Sequence, residues 1–154
     1  MHTFFLSQAI ALATANVADG GGPFGALIVR DGKVIAASGN RVTARLDPTA
    51  HAEIMAIRAA CQVLQDFQLT DCVLYSSCEP CPMCLGAIYW SRLREVYFAC
   101  NRFDAAKAGF DDGFIYDEIP LAPEHRKIAM HGLNIADALS PFQAWYQLGD
   151  KTPY

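Results

Sequence analysis

The sequence predicts an α/β domain built on a mixed β-sheet, and three observations carry that prediction. The runs Ala26–Val29 and Val34–Ala37 flank Asp31-Gly32, a dipeptide suited to a two-residue hairpin turn, so one strand pair is antiparallel. The apolar runs Val73–Tyr75 and Val96–Ala99 are separated by a helix-length apolar segment, and a strand–helix–strand connection implies parallel pairing. A chain of 154 residues, 53% hydrophobic, is enough for one compact domain over 1–154 with a sizeable core.

The remaining elements follow in order. Leu6, Ile10, Ala13 and Val17 fall at helical spacing and predict an amphipathic first helix. Ala13-Thr14-Ala15 resembles a leader cleavage site, but no basic segment stands ahead of the apolar run, so the helix is the reading adopted. Asp19-Gly20-Gly21-Gly22-Pro23 breaks the chain before the hairpin. Asp47-Pro48-Thr49 supplies a cap and a first-turn proline for a second helix, along which Ile54, Ile57, Cys61 and Leu64 recur at helical spacing. A third helix covers Leu85–Trp90, and Ser140-Pro141 opens a last one through Phe142, Trp145 and Leu148, ending near Gly149. The stretch from Gly109 to Leu139 carries no clear periodicity.

Composition excludes several function classes. Net charge is −4 and the pI about 5.4, with no run of Lys or Arg long enough to track a phosphate backbone, so no nucleic-acid partner is expected. No apolar run is long enough to span a membrane. Six cysteines in a chain of this length fall short of the density of a disulfide scaffold, which points to reduced thiols and a cytoplasmic location.

Two short motifs concentrate the chemistry: His51-Ala52-Glu53 and Pro80-Cys81-Pro82-Met83-Cys84. A catalytic zinc ion takes three protein ligands and keeps a fourth position open, where bound water ionises near about pH 7. His51, Cys81 and Cys84 supply three such ligands, and Glu53 is then a spare carboxylate for proton transfer. On a helix flank His51 and Glu53 would point apart, but they can share a target lying off a helix start. Cys81 and Cys84, three apart behind a proline, likewise belong at a helix start, where the positive end of the helix favours thiolates. Cys78-Glu79-Pro80-Cys81 is itself a C-x-x-C, so a redox pair or another ligand choice is an alternative; the Pro-Cys register favours Cys81 and Cys84. A closed structural site with Cys78, His125 or His131 as fourth ligand would leave Glu53 without a task. Cys61, Cys72 and Cys100 sit in apolar runs and read as small core residues.

The H-x-E…P-C-x-x-C pattern is that of the zinc base deaminases. Together with Gly21–Ala26, Asp47–Glu53 and Ser77–Trp90, it makes the chain similar to the cytidine-deaminase superfamily. Ala108–Asp112, Ser140–Trp145 and the terminal tyrosine resemble the small bacterial guanine deaminases built on that fold. The resemblance implies a three-layer α/β/α cytidine-deaminase-like fold, a central mixed sheet of about five strands and one Zn2+ per subunit. It implies a purine base as the small-molecule substrate, stacked by Phe24 and Trp90 and hydrogen-bonded by Asn40; backbone N–H groups near Ala52 and Cys81 suit the charge that develops on the reacting oxygen. Asp112 corresponds to a carboxylate used on the purine, with Asp111 as the adjacent alternative. Tyr154 corresponds to a residue that reaches the neighbouring subunit's site when the C-terminal segment, about 140–154, is exchanged in a homodimer. The implied reaction is hydrolysis of guanine to xanthine and ammonia, with Glu53 moving the proton. Guanosine is the nearest alternative substrate. A tRNA adenosine deaminase follows, disfavoured because 140–154 holds only Lys151 against Asp150 where such proteins tend to be basic. Cytosine and cytidine suit the same chemistry, and a zinc module without catalysis would have no use for Glu53.

Overall fold

The computed structural model describes all residues, 1–154, in two compact units, 1–113 and 114–154. In the first unit the elements run α1 (His2–Ala18), β1 (Gly25–Arg30), β2 (Lys33–Gly39), α2 (Val42–Arg45), α3 (Ala52–Leu64), β3 (Val73–Cys78), α4 (Pro82–Trp90), β4 (Glu95–Cys100) and α5 (Arg102–Lys107). The sheet order is β2-β1-β3-β4. β1 pairs antiparallel with β2 and β3, and β3 pairs parallel with β4. Both pairings expected from the sequence are present. At the hairpin, Asp31 and Gly32 take φ of 51° and 73°, the pair of positive values a type I′ turn requires.

Alternation along the central strands builds two cores. Leu27 and Val29 of β1 with Val73 and Tyr75 of β3 face α1, where Phe5 and Ala9 meet them. Ala26, Ile28 and Leu74 point to the opposite face and pack against Ala52, Ala56, Ile57 and Ala60 of α3 and Ile88 of α4. Helices therefore cover both faces, giving three layers. The sheet has four strands instead of the expected five. After β4 the chain enters α5, stabilised by a reciprocal cap between Asn101 and Asp104, and turns at Gly109, whose φ is 92°. The residues beyond form helical and irregular segments that pair with no strand.

Two boundaries differ from expectation. The buried stripe of α1 is Phe5, Ala9, Ala13 and Asn16, while Ile10 and Val17 are exposed. Apolar residues surround this helix, so spacing alone does not select a face; close approach to the strand does, and it selects the alanines. The second long helix starts at Ala52, not near Pro48. The Asp47 carboxylate accepts hydrogen bonds from Thr49 N–H and Thr49 Oγ1 at 2.8 and 2.7 Å, which holds 47–50 as a turn.

In the second unit α6 (Gly113–Glu118) leads in from the boundary, followed by a 3-10 turn over Pro123–His125 and α7 (Ser140–Gln147). Glu118 accepts from Lys127 N–H, and the Lys151 ammonium donates to the carbonyls of Tyr146 and Leu148. No helix of the chain is long and apolar enough to cross a membrane.

Candidate active site

The site forms where β3 ends and two helices begin. His51 and Cys81 are the N-cap residues of α3 and α4, both with extended backbone (φ −65°, ψ 157° and φ −66°, ψ 169°). Extended caps turn both side chains into the space ahead of the first helical N–H groups, which have no acceptor inside the helix. His51 Nδ1 lies 3.5 Å from Cys81 Sγ and 3.5 Å from Cys84 Sγ, and the three ligand atoms are all within 4.8 Å of one another.

The donor set fits zinc. Tetrahedral coordination at ordinary Zn–S and Zn–N lengths separates sulfur from nitrogen by about 3.6 Å, close to the spacing present. One of the two thiols is drawn toward its thiolate. A hydrogen bond from Cys84, with His51 alongside, pulls the Cys81 thiol down to about 4. Cys84, which holds the proton between the two sulfurs, is pushed far above the ordinary thiol range, with burial adding to the effect. The hydrogen bond to Cys81 raises His51. One nitrogen and two sulfurs form a soft to borderline ligand set suited to zinc. Cys78 stays outside it: burial and neighbouring Cys100 push its thiol up to about 11, and its Sγ reaches the Asn101 carbonyl at 3.6 Å.

Glu53 sits in the first turn of α3, 6% exposed, beside the cluster. Burial holds its carboxyl above the usual carboxylate range, and negative charge at Cys81 adds to that. Ala52, fully buried, opens the same helix. Asn40, at the end of β2, is 9% exposed; its Oδ1 accepts Val42 N–H at 3.2 Å, which leaves the amide N–H donors for a ligand. Phe24 precedes β1 and meets Phe110 edge-to-face at 5.0 Å. The two adjacent aspartates have different surroundings. Asp111 Oδ1 accepts Gly113 N–H at 2.9 Å and serves the local turn. The Asp112 carboxyl is raised by burial and, to a lesser degree, by the negative charge of Cys81.

Trp90 and Tyr154 complete the expected set. Trp90 is the last residue of α4, the helix that Cys81 caps and that carries Cys84. It is 64% exposed, and the Arg92 guanidinium lies 5.8 Å from its ring centroid. Tyr154 belongs to the second unit, with its side chain exposed. Conversely, three participants near the site were missed. Phe110 falls within Ala108–Asp112, where the resemblance assigns it no role. Ser77 Oγ accepts Gly25 N–H at 3.0 Å. Asn16 Nδ2 donates to the carbonyls of Gly22 and Asn40. An Asn among apolar helix residues was a legible signal for the last; nothing in the sequence pointed to Ser77.

The fold and this metal cluster define a zinc-dependent deaminase. The model of the cytidine and deoxycytidylate deaminase zinc-binding region matches residues 1–100, and the chain belongs to that family. Among relatives, it is 55% identical over 154 residues to the guanine deaminase of Bacillus subtilis strain 168, covering 99% of both chains. The X-ray structure of guanine deaminase from Bacillus subtilis superposes with a TM-score of 0.99 over 100% of this chain and 99% of that one. The tRNA-specific adenosine deaminase of Agrobacterium fabrum is 44% identical over 100 residues, 65% of this chain and 66% of that protein.

Proposed function

We propose that this chain hydrolyses guanine to xanthine and ammonia. The observation that carries the reading is extent: similarity to a guanine deaminase runs through the second unit to the last residues, whereas similarity to the tRNA adenosine deaminase covers about two thirds of the chain. The reading includes a cytoplasmic location, supported by six free thiols.

His51, Cys81 and Cys84 would hold the zinc, which when bound supplies Lewis-acid activation of water near neutral pH. The chain's own residues do the rest. Asn40 donates to the purine edge from its buried position, and Phe24, braced by Phe110, offers a ring face for stacking. Glu53 takes the proton from the attacking water and delivers it to the 2-amino nitrogen as the C–N bond breaks, leaving a carbonyl at that carbon. Burial and the raised carboxyl suit a group that must hold a proton between these steps. Asp112 accepts from a purine N–H, and the Ala52 N–H faces the charge that develops on oxygen.

The reading extends to a homodimer that exchanges its C-terminal segment and places Tyr154 at the neighbouring copy's site. Exposed apolar side chains support it: Phe114, Ile128, Leu139 and Phe142 in the second unit, Leu85, Tyr89 and Trp90 on α4. In this reading Trp90, exposed on α4, stacks the purine with Phe24.

The test is ammonia release by the zinc-loaded protein from guanine, guanosine, adenine, cytosine and cytidine. Release from guanine alone is expected. Release from guanosine alone would move the substrate assignment while keeping the zinc roles, and silence on all five would overturn the reading.

A further inference from the structure

The buried stripe of α1 ends in a polar residue, Asn16, 3% exposed. Its Nδ2 spends both protons on main-chain carbonyls: Gly22 at 2.8 Å and Asn40 at 3.0 Å. Its own carbonyl accepts Gly21 N–H at 2.8 Å. The side chain occupies the space two glycines leave open, since a Cβ at Gly21 would fall 2.3 Å from Asn16 Nδ2 and one at Gly39 2.3 Å from Asn16 Oδ1. The two tied segments, Gly21–Phe24 and Gly39–Asn40, are also joined directly, Asn40 N–H donating to the Phe24 carbonyl at 3.0 Å. They deliver Phe24 and Asn40, the stacking ring and the hydrogen-bonding amide of the purine pocket.

We propose that Asn16 is a positioning residue for purine recognition: a single amide, touching neither base nor metal, sets the spacing between Phe24 and Asn40. The inference rests on the functional reading above. No other side chain of this size meets the requirement. A carboxylate would set negative oxygen against two carbonyl oxygens, a leucine would leave both carbonyls buried and unpaired, and a glutamine is too long for the space bounded by the two glycines.

The experiment compares zinc-loaded parent, Asn16→Asp, Asn16→Ser, Asn40→Ala and the Asn16→Asp/Asn40→Ala double variant for KM and kcat on guanine, with zinc content and backbone hydrogen exchange measured on each. Asn16→Asp is expected to raise KM about tenfold or more, with kcat per zinc within about threefold of the parent. In the Asn40→Ala background the same change should add less than about twofold, because its route to the base is already gone. Exchange at the Asn40 and Val42 N–H groups should quicken while the zinc content holds. Asn16→Ser keeps one donor and is expected to fall between, and it replaces the aspartate if that variant does not fold. Unchanged KM, a kcat loss in step with zinc loss, or equal effects in both backgrounds would overturn the proposal. If the parent releases no ammonia from guanine, the functional reading fails on its own, and unchanged exchange at Asn40 and Val42 would then overturn this inference separately.

Discussion

One chemical change, Gly→Ala, is expected to have opposite effects at two positions. At Gly25 a Cβ would lie 2.6 Å from the Ala9 carbonyl oxygen and 2.7 Å from Ala13 N, both main-chain atoms of α1, whereas ordinary contact begins at 3.4 Å. The helix would have to retreat by about 0.8 Å where Ala9 and Ala13 face Gly25. Overpacking costs about 1–3 kcal/mol, and obstacles made of helix backbone place this case near the upper end. For a chain of this size that lowers the unfolding midpoint by about 6–12 °C. At Gly86, inside α4, a Cβ meets nothing within 4 Å, and alanine should add about 0.4–1 kcal/mol by restricting the unfolded chain. Thermal unfolding of the zinc-loaded variants by circular dichroism measures both. A Gly25→Ala midpoint within about 2 °C of the parent would refute the packing argument, as would a Gly86→Ala variant less stable than the parent.

The other expected outcomes concern the site, the tail and one turn. Glu53→Gln should keep a full complement of zinc while turnover of guanine falls about 10²–10⁴-fold; near-parental turnover would remove Glu53 from the proton path. Stripping zinc with a chelator should make Cys81, drawn down to about 4, the first thiol alkylated at about pH 6, with Cys78, near 11, unlabelled; mass spectrometry that finds another cysteine first would contradict the ligand electrostatics. If tails are exchanged, inactive Glu53→Gln chains refolded with inactive chains lacking Tyr154 should recover activity at about a quarter of the sites, and no recovery excludes the exchange. The Asp47 carboxyl lies below its usual 3.8 because Thr49 donates two hydrogen bonds to it. Its contribution to stability is therefore complete above that value and lost as pH falls through the lowered one. Thr49→Ala should move the NMR titration of Asp47 upward, and a static midpoint would refute the assignment.

Legibility in the sequence followed the range of the interaction. The hairpin at Asp31-Gly32, the parallel β3–β4 pair and the His51/Cys81/Cys84 cluster rest on local turn chemistry and fixed spacing, and all were readable. The buried face of α1 was not, because Phe4, Phe5, Leu6 and Ile10 surround the helix and only packing on the sheet, with close approach at Gly25, breaks the tie. The start of α3 was misplaced because Asp47-Pro48-Thr49 forms a turn from the same residues that cap helices. Asn16 and Ser77 act on main-chain atoms distant in sequence, and no pattern records such bonds.

The ligands of the metal cluster come from helix starts 30 residues apart, with β3 between them. Zinc is thus a removable cross-link, closing a loop that includes α3 and the central strand. The free energy it lends to the native chain grows with the logarithm of free zinc, reaching about 4.1 kcal/mol at a thousandfold excess over its dissociation constant. Survival of the protein against proteolysis is thereby tied to the metal buffering of its surroundings: a drop in available zinc would remove the catalyst and shorten the lifetime of the chain that carried it.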